Sequence, residues 1–297
     1  MSTTMTTTTQ AGDGRAALPP PTTQPLRLIR AELLKIRTTS TWWWLALGAL
    51  AATVVALAFN MFFAYQIFHN PEFFGGEDVG GMADPSYHAG NIYTSGQFFG
   101  LMLVMLLGIL MVTNEFFHQT ATATFLATPH RTVVIVNKLV TAMLVGVVFW
   151  VGTTALNLVA GSVFLSSQDL GTMLDDWSVQ RTILLNLAAY AVWTVFGVAI
   201  GTLIRSQLAA TIISTVLYVV GTQLAGLLFF LLSLLLDNES VLEWQVIIPS
   251  VASTVMTTGG EDIPGTPAWW VGALILLGYA LVAGVSGILI TRKRDIS

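Results

Sequence analysis

LVTAMLVGVVFWVGTTALNLVAGSVFLSSQ, Leu139 to Gln168, runs for 30 residues without an Asp, Glu, Lys or Arg. A helix crossing the hydrocarbon of a bilayer needs about 20 predominantly apolar residues. A helix of this length in a soluble domain carries a charged face, and this one has none. Five more stretches have the same property: Thr38–Pro71, Pro85–Asn114, Thr182–Ile204, Ser206–Leu236 and Ile263–Thr291. Hydrocarbon offers the backbone no hydrogen bonds, so each run must satisfy its own amides and is expected to be a helix. A β-barrel would show short alternating strands instead. The runs predict six spans, at Trp42–Phe63, Gln97–Thr113, Leu139–Leu165, Thr182–Ile204, Leu208–Leu236 and Trp269–Ile290.

The composition of the 297-residue chain agrees. Hydrophobic residues make up 54% and charged residues 9%, against about 25% charged in soluble domains, and the mean hydropathy is +0.74. A soluble enzyme and a disordered chain are both excluded. A net charge of −4 argues against a nucleic-acid partner. With no Cys there is no disulfide, thiolate metal site or Cys nucleophile.

The basic residues predict the orientation. An even number of spans leaves both termini on one side. Eleven of the 12 Lys and Arg fall on that side: Arg15, Arg27, Arg30, Lys35, Arg37, Arg131, Lys138, Arg205, Arg292, Lys293 and Arg294. Arg181 alone falls opposite, together with 12 of the 16 acids. The excess of Lys and Arg marks the cytoplasmic face. Trp42–Trp44 and Trp269–Trp270 fit aromatic belts at the two interfaces.

Between the spans, residues 1–25 are Thr-rich and then Pro-rich, without an apolar run, and are expected to be a disordered cytoplasmic tail. Leu26–Arg37 (LRLIRAELLKIR) is expected to form a helix lying in the cytoplasmic interface. Leu26, Ile29, Leu33 and Ile36 share its apolar stripe, Arg27, Glu32 and Lys35 lie off it, and Arg30 and Arg37 border it. Asn114–Thr132 (NEFFHQTATATFLATPHRT) is too polar to be embedded and too apolar for a plain loop, which marks a docking surface. Ser240–Thr258 is apolar but too short, and too interrupted at Pro249, to cross, so broken or re-entrant pieces are expected on the outer side. Small-residue faces at Gly48, Ala52 and Ala56, at Gly197 and Gly201, and at Ala280 and Gly284 predict close helix packing. No internal repeat is evident.

Catalytic motifs are missing. No Gly-rich phosphate loop contains any of the three lysines, no H-E-x-x-H or G-x-S-x-G occurs, and the four His are scattered over both sides. No ionisable residue lies deep in a span, where ion-coupled carriers and proton relays keep theirs. Lys138, at the start of the third span, is expected to snorkel to the interface. Polar faces do occur: Thr53 and Asn60 on the first span, and Thr211, Thr215, Tyr218 and Thr222 at helical spacing on the fifth. They either line a substrate path or make hydrogen bonds within and between helices.

Three stretches together resemble the ABC-2-type permease family of ATP-binding-cassette exporters, in the form of small stand-alone actinobacterial permeases. RAELLKIRTTSTWW (Arg30–Trp43) is similar to the basic helix that elbows into the first span. NEFFHQTATATFLATPHR (Asn114–Arg131), followed by Lys138, is similar to the coupling segment after the second. It matches at Glu115, His118, Thr120, Thr124–Pro129, Arg131 and Lys138, and departs at Phe117 and Gln119, where Arg and Gly are usual. GVAIGTLIRS (Gly197–Ser206) is similar to the exit of the fourth span.

The resemblance implies an all-α transmembrane domain over residues 26–297 that works in a bacterial plasma membrane as a homodimer or heterodimer. It implies two copies of a separate cytosolic ATPase, which hold the ATP and Mg while this chain binds no cofactor. Glu115, Phe116, Phe117, His118, Thr120, Phe125, Leu126, Pro129 and Arg131 would contact that ATPase. Spans one, two and five would face the dimer interior and the outer pieces would cap the exit. The expected cargo is an amphiphile, lipid or hydrophobic drug, exported as the dimer shifts from inward-open to outward-open. The alternative is a non-transporting membrane subunit for regulation or assembly. A polytopic enzyme would need acid, base or metal-ligating groups gathered at one depth, and the sequence shows none.

Overall fold

The computed structural model of the chain describes residues 25–70, 84–120, 131–204, 206–258 and 266–293. The tail expected to be disordered lies outside them, except for Pro25, which opens the first helix. Every regular element among the described residues is helical. A short helix, α1 (Pro25–Thr38), leads into α2 (Thr41–His69). The second span is two pieces, α3 (Pro85–Tyr93) and α4 (Gln97–Phe117), joined by a turn at Thr94–Gly96. Then come α5 (Arg131–Ser167) and α6 (Trp177–Leu203). The fifth span is α7 (Gln207–Val216), one π-helical turn (Leu217–Gly221) and α8 (Thr222–Leu236). A 3-10 helix (Glu239–Ile247) and α9 (Pro249–Thr258) precede α10 (Trp269–Lys293).

The chain is an all-α membrane protein: the described residues include six spans long and apolar enough to cross a bilayer, one for each apolar run of the sequence. Successive spans alternate in direction. One end of the bundle therefore carries α1 and the α4–α5 and α6–α7 connections, and the opposite end carries α3, the 3-10 helix and α9. Polar side chains cap several starts: Asp84 accepts from the Ser86 amide at 2.9 Å, Asp176 from Ser178 at 2.8 Å and Ser206 from Ala209 at 3.3 Å. Each satisfies one of the amide donors left free in a first helical turn.

The second span starts twelve residues before the predicted Gln97, at Pro85, because it includes α3, and the third also starts early, at α5. It begins at Arg131, eight residues before the predicted Leu139, because Lys138 is part of the packed helix and not of a solvated loop.

The expected re-entrant segment is present. Beyond α8 the 3-10 helix doubles back along α8, and Thr222 meets Ser250 at 2.6 Å. From there α9 runs outward again beside α6 and α10, with the Trp193 indole donating to Ser253 at 2.7 Å and Thr182 donating to the Thr257 carbonyl at 2.8 Å.

The core centres on α6, which packs against α4, α5, α9, α10 and α3. Val104, Ile109, Tyr190 and Trp193 are buried there. Around them Val55, Phe59, Leu208, Leu235 and Leu281 point outward with more than half their surface exposed, the arrangement hydrocarbon favours. At Gly197 the backbones of α6 and α4 all but touch: a Cβ would overlap the Met105 carbonyl oxygen and come within 2.9 Å of the Gly108 Cα. The predicted close face at Gly197 and Gly201 is thus real. The one at Ala280 and Gly284 is not formed within this chain, since a Cβ at Gly284 meets nothing within 4 Å among the described residues.

A Gly197→Ala substitution should therefore destabilise the protein by about 1–3 kcal/mol through overpacking, although Ala is the better helix former by about 1 kcal/mol. Gly284→Ala should leave the melting temperature unchanged or raised. Thermal unfolding of the two variants in detergent measures the contrast.

Candidate functional site

Two polar features lie at different depths of the bundle. The first is a closed set of ion pairs where α1 meets the ends of α4 and α5. Lys138 of α5 points its ammonium at Glu32 Oε2 (2.8 Å) and Glu115 Oε1 (2.9 Å). Lys35 of α1 reaches Glu32 Oε1 (2.8 Å) and the same Glu115 Oε1 (2.6 Å). Two carboxylates and two ammoniums alternate in a square of zero net charge. Lys138 is 2% exposed and also lies 3.4 Å from the Met111 carbonyl. The Glu32 and Glu115 side chains are 9% and 8% exposed, whereas that of Lys35 is 44% exposed.

The square corrects three readings of the sequence. Lys138 does not snorkel, because α1 crosses the bundle end and brings a carboxylate to it. Glu32 does not lie off the inward face of α1 but on it, beside Leu33 and Ile36, which pack on the core. Glu115, expected on an exposed docking segment, is instead turned inward, 8% exposed, and engaged by both lysines. Arg30 and Arg37 are exposed on α1 together with Leu26 and Leu34, a stripe that fits an interfacial helix.

Electrostatics hold the square. Burial pushes the Glu32 carboxyl upward, but the ammoniums of Lys138 and Lys35 outweigh it, and the group titrates below its ordinary value. Burial likewise pulls Lys35 down, and its bonds to Glu115 and Glu32 outweigh that, so it titrates above its ordinary value. A depressed carboxyl stabilises α1 docking above its unfolded pKa and loses that effect as pH falls through the folded one. A raised amine stabilises below its unfolded pKa and loses that effect as pH rises through the folded one. Both contributions are complete between the ordinary values of 4.5 and 10.5.

Beyond the square α4 ends in a tight turn. Gln119 takes a left-handed φ of +56° and the Thr120 amide donates to the Glu115 carbonyl at 2.9 Å. This is the conformation glycine adopts freely, and here Gln119 takes it. Phe116, Phe117 and His118 are exposed here, Phe117 at 71%. Thr120 and His118 line a small cleft of about 240 Å³ between α1 and α4. Phe125, Leu126 and Pro129 lie outside the described residues. Arg131 begins α5.

The second feature is the break between α3 and α4. Gly96 takes φ +81°, and a Cβ there would lie 2.6 Å from the Thr53 Cα. Thr53 and Asn60 belong to the middle of the 29-residue α2, so the broken backbone lies near half-depth. Five elements hydrogen-bond it. Asn60 of α2 donates to Ser95 at 2.9 Å. Asn157 of α5 donates to the Tyr93 and Ser95 carbonyls at 3.2 and 3.0 Å. Asn186 of α6 donates to Gln97 at 2.7 Å, and Gln97 donates to the Ser253 carbonyl of α9 at 3.2 Å. Tyr218, in the π-helical turn, donates to the Phe98 carbonyl at 2.8 Å. Irregular backbone at such depth persists only where protein or a water-filled cavity covers it.

A cleft of about 700 Å³ opens beside the break, between it, α2 and α9. Of the residues expected to form a path, only Asn60 lines it. Thr53 is buried and donates to the Ala49 carbonyl. Thr211, Thr215 and Thr222 donate to carbonyls four residues back, and Tyr218 donates to the break, so each hydroxyl of the fifth-span stripe has a partner within this chain. Sequence reasoning missed Asn91, Ser95, Gln97 and Thr254 on the cleft. The signal was present: Pro85–Asn114 is longer than one span needs, and it contains the turn-forming pair Ser95-Gly96. Among the described residues no three His, Asp or Glu gather as metal ligands. Neither a family model nor a curated protein matches this chain.

Lys138→Met should destabilise the protein by about 3–5 kcal/mol, because two buried carboxylates lose a counter-charge. Adding Glu115→Gln should recover part of that loss, read as melting temperature in detergent. Because the chain has no Cys, a single label on an Arg30→Cys variant reports α1 directly. Its distance to a second label on α5 should hold across neutral pH and lengthen on acidification below the ordinary carboxylate range.

Proposed function

We propose that this chain is the permease subunit of an ABC-2-type exporter, driven by a separate cytosolic ATPase. The observation that carries the reading is the ion square. It ties α1 to the two helices that flank the α4–α5 connection, so a force applied to that connection moves α1, α4 and α5 together. Among the described residues no Asp, Glu, Lys or Arg lies at mid-depth in a span, the position from which a proton or sodium gradient is tapped. This absence supports a reading in which a bound partner supplies the energy.

By the positive-inside rule the α1 end faces the cytoplasm of a bacterial cell, with both termini there. Two ATPase copies, holding ATP and Mg, dock on the α4–α5 connections of two permeases. The exposed Phe116, Phe117 and His118 belong to the docking surface, and Phe125, Leu126, Pro129 and Arg131 continue it by resemblance to the family. Glu115 acts behind that surface as an anchor. ATP-bound partners drive the shift between inward-open and outward-open states by binding the two with different affinity. The cargo is amphiphilic and leaves the cell. Membrane lipids surround the outward apolar faces, and nucleic acid has no role.

Phe117→Ala removes exposed apolar surface without touching the core. In nanodiscs with the cognate ATPase, it should lower substrate-stimulated ATP hydrolysis by about tenfold or more, equivalent to some 1.4 kcal/mol of coupling. Membrane insertion and melting temperature should stay as in the parent. Hydrolysis that is indifferent both to this variant and to the presence of the permease would favour a non-transporting subunit.

A further inference from the structure

We infer that the cleft between α2, the α3–α4 break and α9 binds an uncharged amphiphile whose headgroup both donates and accepts hydrogen bonds, such as a hydroxyl-rich glycolipid. Its volume of about 700 Å³ falls among small-ligand sites, which run from about 300 to 1,000 Å³.

Depth fits a membrane-dissolved ligand. Val55, on the cleft wall, is 14 residues into α2, or ~21 Å along a helix rising ~1.5 Å per residue. That is near half of the span. Interrupted helices near mid-depth are where transporters of other folds build their binding sites, because the interruption exposes backbone polarity that a continuous helix hides. Here two interruptions meet at one cleft: the first turn of α4 at Gly96–Phe99, and the last turn of the re-entrant α9 at Thr257 and Thr258.

Chemistry selects the headgroup. Among the described residues the wall holds amides (Asn60, Asn91, Gln97), two of which also hold the break, and hydroxyls (Ser95, Thr254, Thr258), and no charged side chain. An ion entering it would lose its hydration with no counter-charge among these side chains, a large penalty in a low-dielectric site. The two helix ends add partial charges of opposite sign, positive at the start of α4 and negative at the end of α9, which suit a dipolar group more than either ion. Ala52 and Ala56 leave room on the α2 side. At the mouth Val55 and Phe59 are 70% and 65% exposed, and an acyl chain leaving the cleft would lie along them.

The inference rests on the permease reading only in treating the ligand as cargo; binding itself needs no partner. The test is native mass spectrometry of the detergent-purified chain, titrated with three lipids of matched acyl chains: monogalactosyl diacylglycerol, phosphatidylglycerol and a dialkyl dimethylammonium. The galactolipid should bind at one site, about tenfold or more tighter than either charged analogue. Ala56→Phe fills the cleft from an accessible helix face and should weaken it by a similar factor. Asn91→Leu, which removes one amide, should narrow the preference over the charged lipids. Equal binding of all three lipids, or unchanged binding in Ala56→Phe at an unchanged melting temperature, would overturn the proposal. So would a shift in subunit number in place of lipid loss, which would make the cleft an interface between copies.

Galactolipid binding without stimulation of the partner ATPase would sink the permease reading and leave the site. ATP-driven export of another compound with no galactolipid retained would do the reverse.

Discussion

An ammonium buried at the end of a membrane span has to be neutralised where it stands, and the architecture of the α1 end follows from Lys138 meeting that demand. Neither α4 nor α5 alone can do it. Glu115 supplies one carboxylate, and the second comes from Glu32, some 106 residues away in sequence. To deliver it, α1 must lie across the bundle end with its Glu32 side inward. Lys35 then closes the square and balances the second carboxylate. Such a buried set adds little net stability over an apolar replacement, because desolvation offsets most of the attraction. What it does impose is registry: α1 can dock in one position only. A mechanical linkage has more use for that property than for strength.

The fold was legible because hydrocarbon imposes one rule, and absence of charge reports it. All six spans could be read from gaps between ionisable residues. Errors arose where a charge is paired inside the protein. Lys138 made the predicted third span begin eight residues too late, and the inward turn of Glu115 was not foreseen. Pairing of this kind joins residues distant in sequence, and composition carries no trace of it. The i,i+3 spacing of Glu32 and Lys35 was visible, but such spacing on an exposed helix is commonplace. The Thr stripe on the fifth span was legible as a pattern. Its hydroxyls bond their own helix, an outcome that helical spacing cannot separate from a lined path.

The α3–α4 break shows the opposite case, in which the local signal was plain and its meaning was not. Ser95-Gly96 within an apolar run marks an interruption, and a left-handed glycine is what the chain needs to turn there. That the turn is held by Asn60, Asn157, Asn186, Gln97 and Tyr218 is a property of the assembled bundle. Four side-chain amides from four different spans or span pieces serve this single turn: Asn60, Gln97, Asn157 and Asn186. A polar residue in a span is expensive unless satisfied, so their convergence is economical: one interruption absorbs donors contributed by four of the other elements.

The two features are coupled through α4. Its last turn carries Glu115 and the square, and its first turn forms the wall of the cleft. Between them α4 lies flush on α6, with Gly197 against Met105 and Gly108, a contact too close to let the two helices slide independently. A displacement of the α4–α5 connection is therefore passed along α4 as a rigid body together with α6. The piece free to respond is the broken turn, which is held by side-chain hydrogen bonds and not by a continuous helical ladder. Under the proposed function, motion imposed at the charged end would reach the cleft through this turn, where the backbone already departs from the helix.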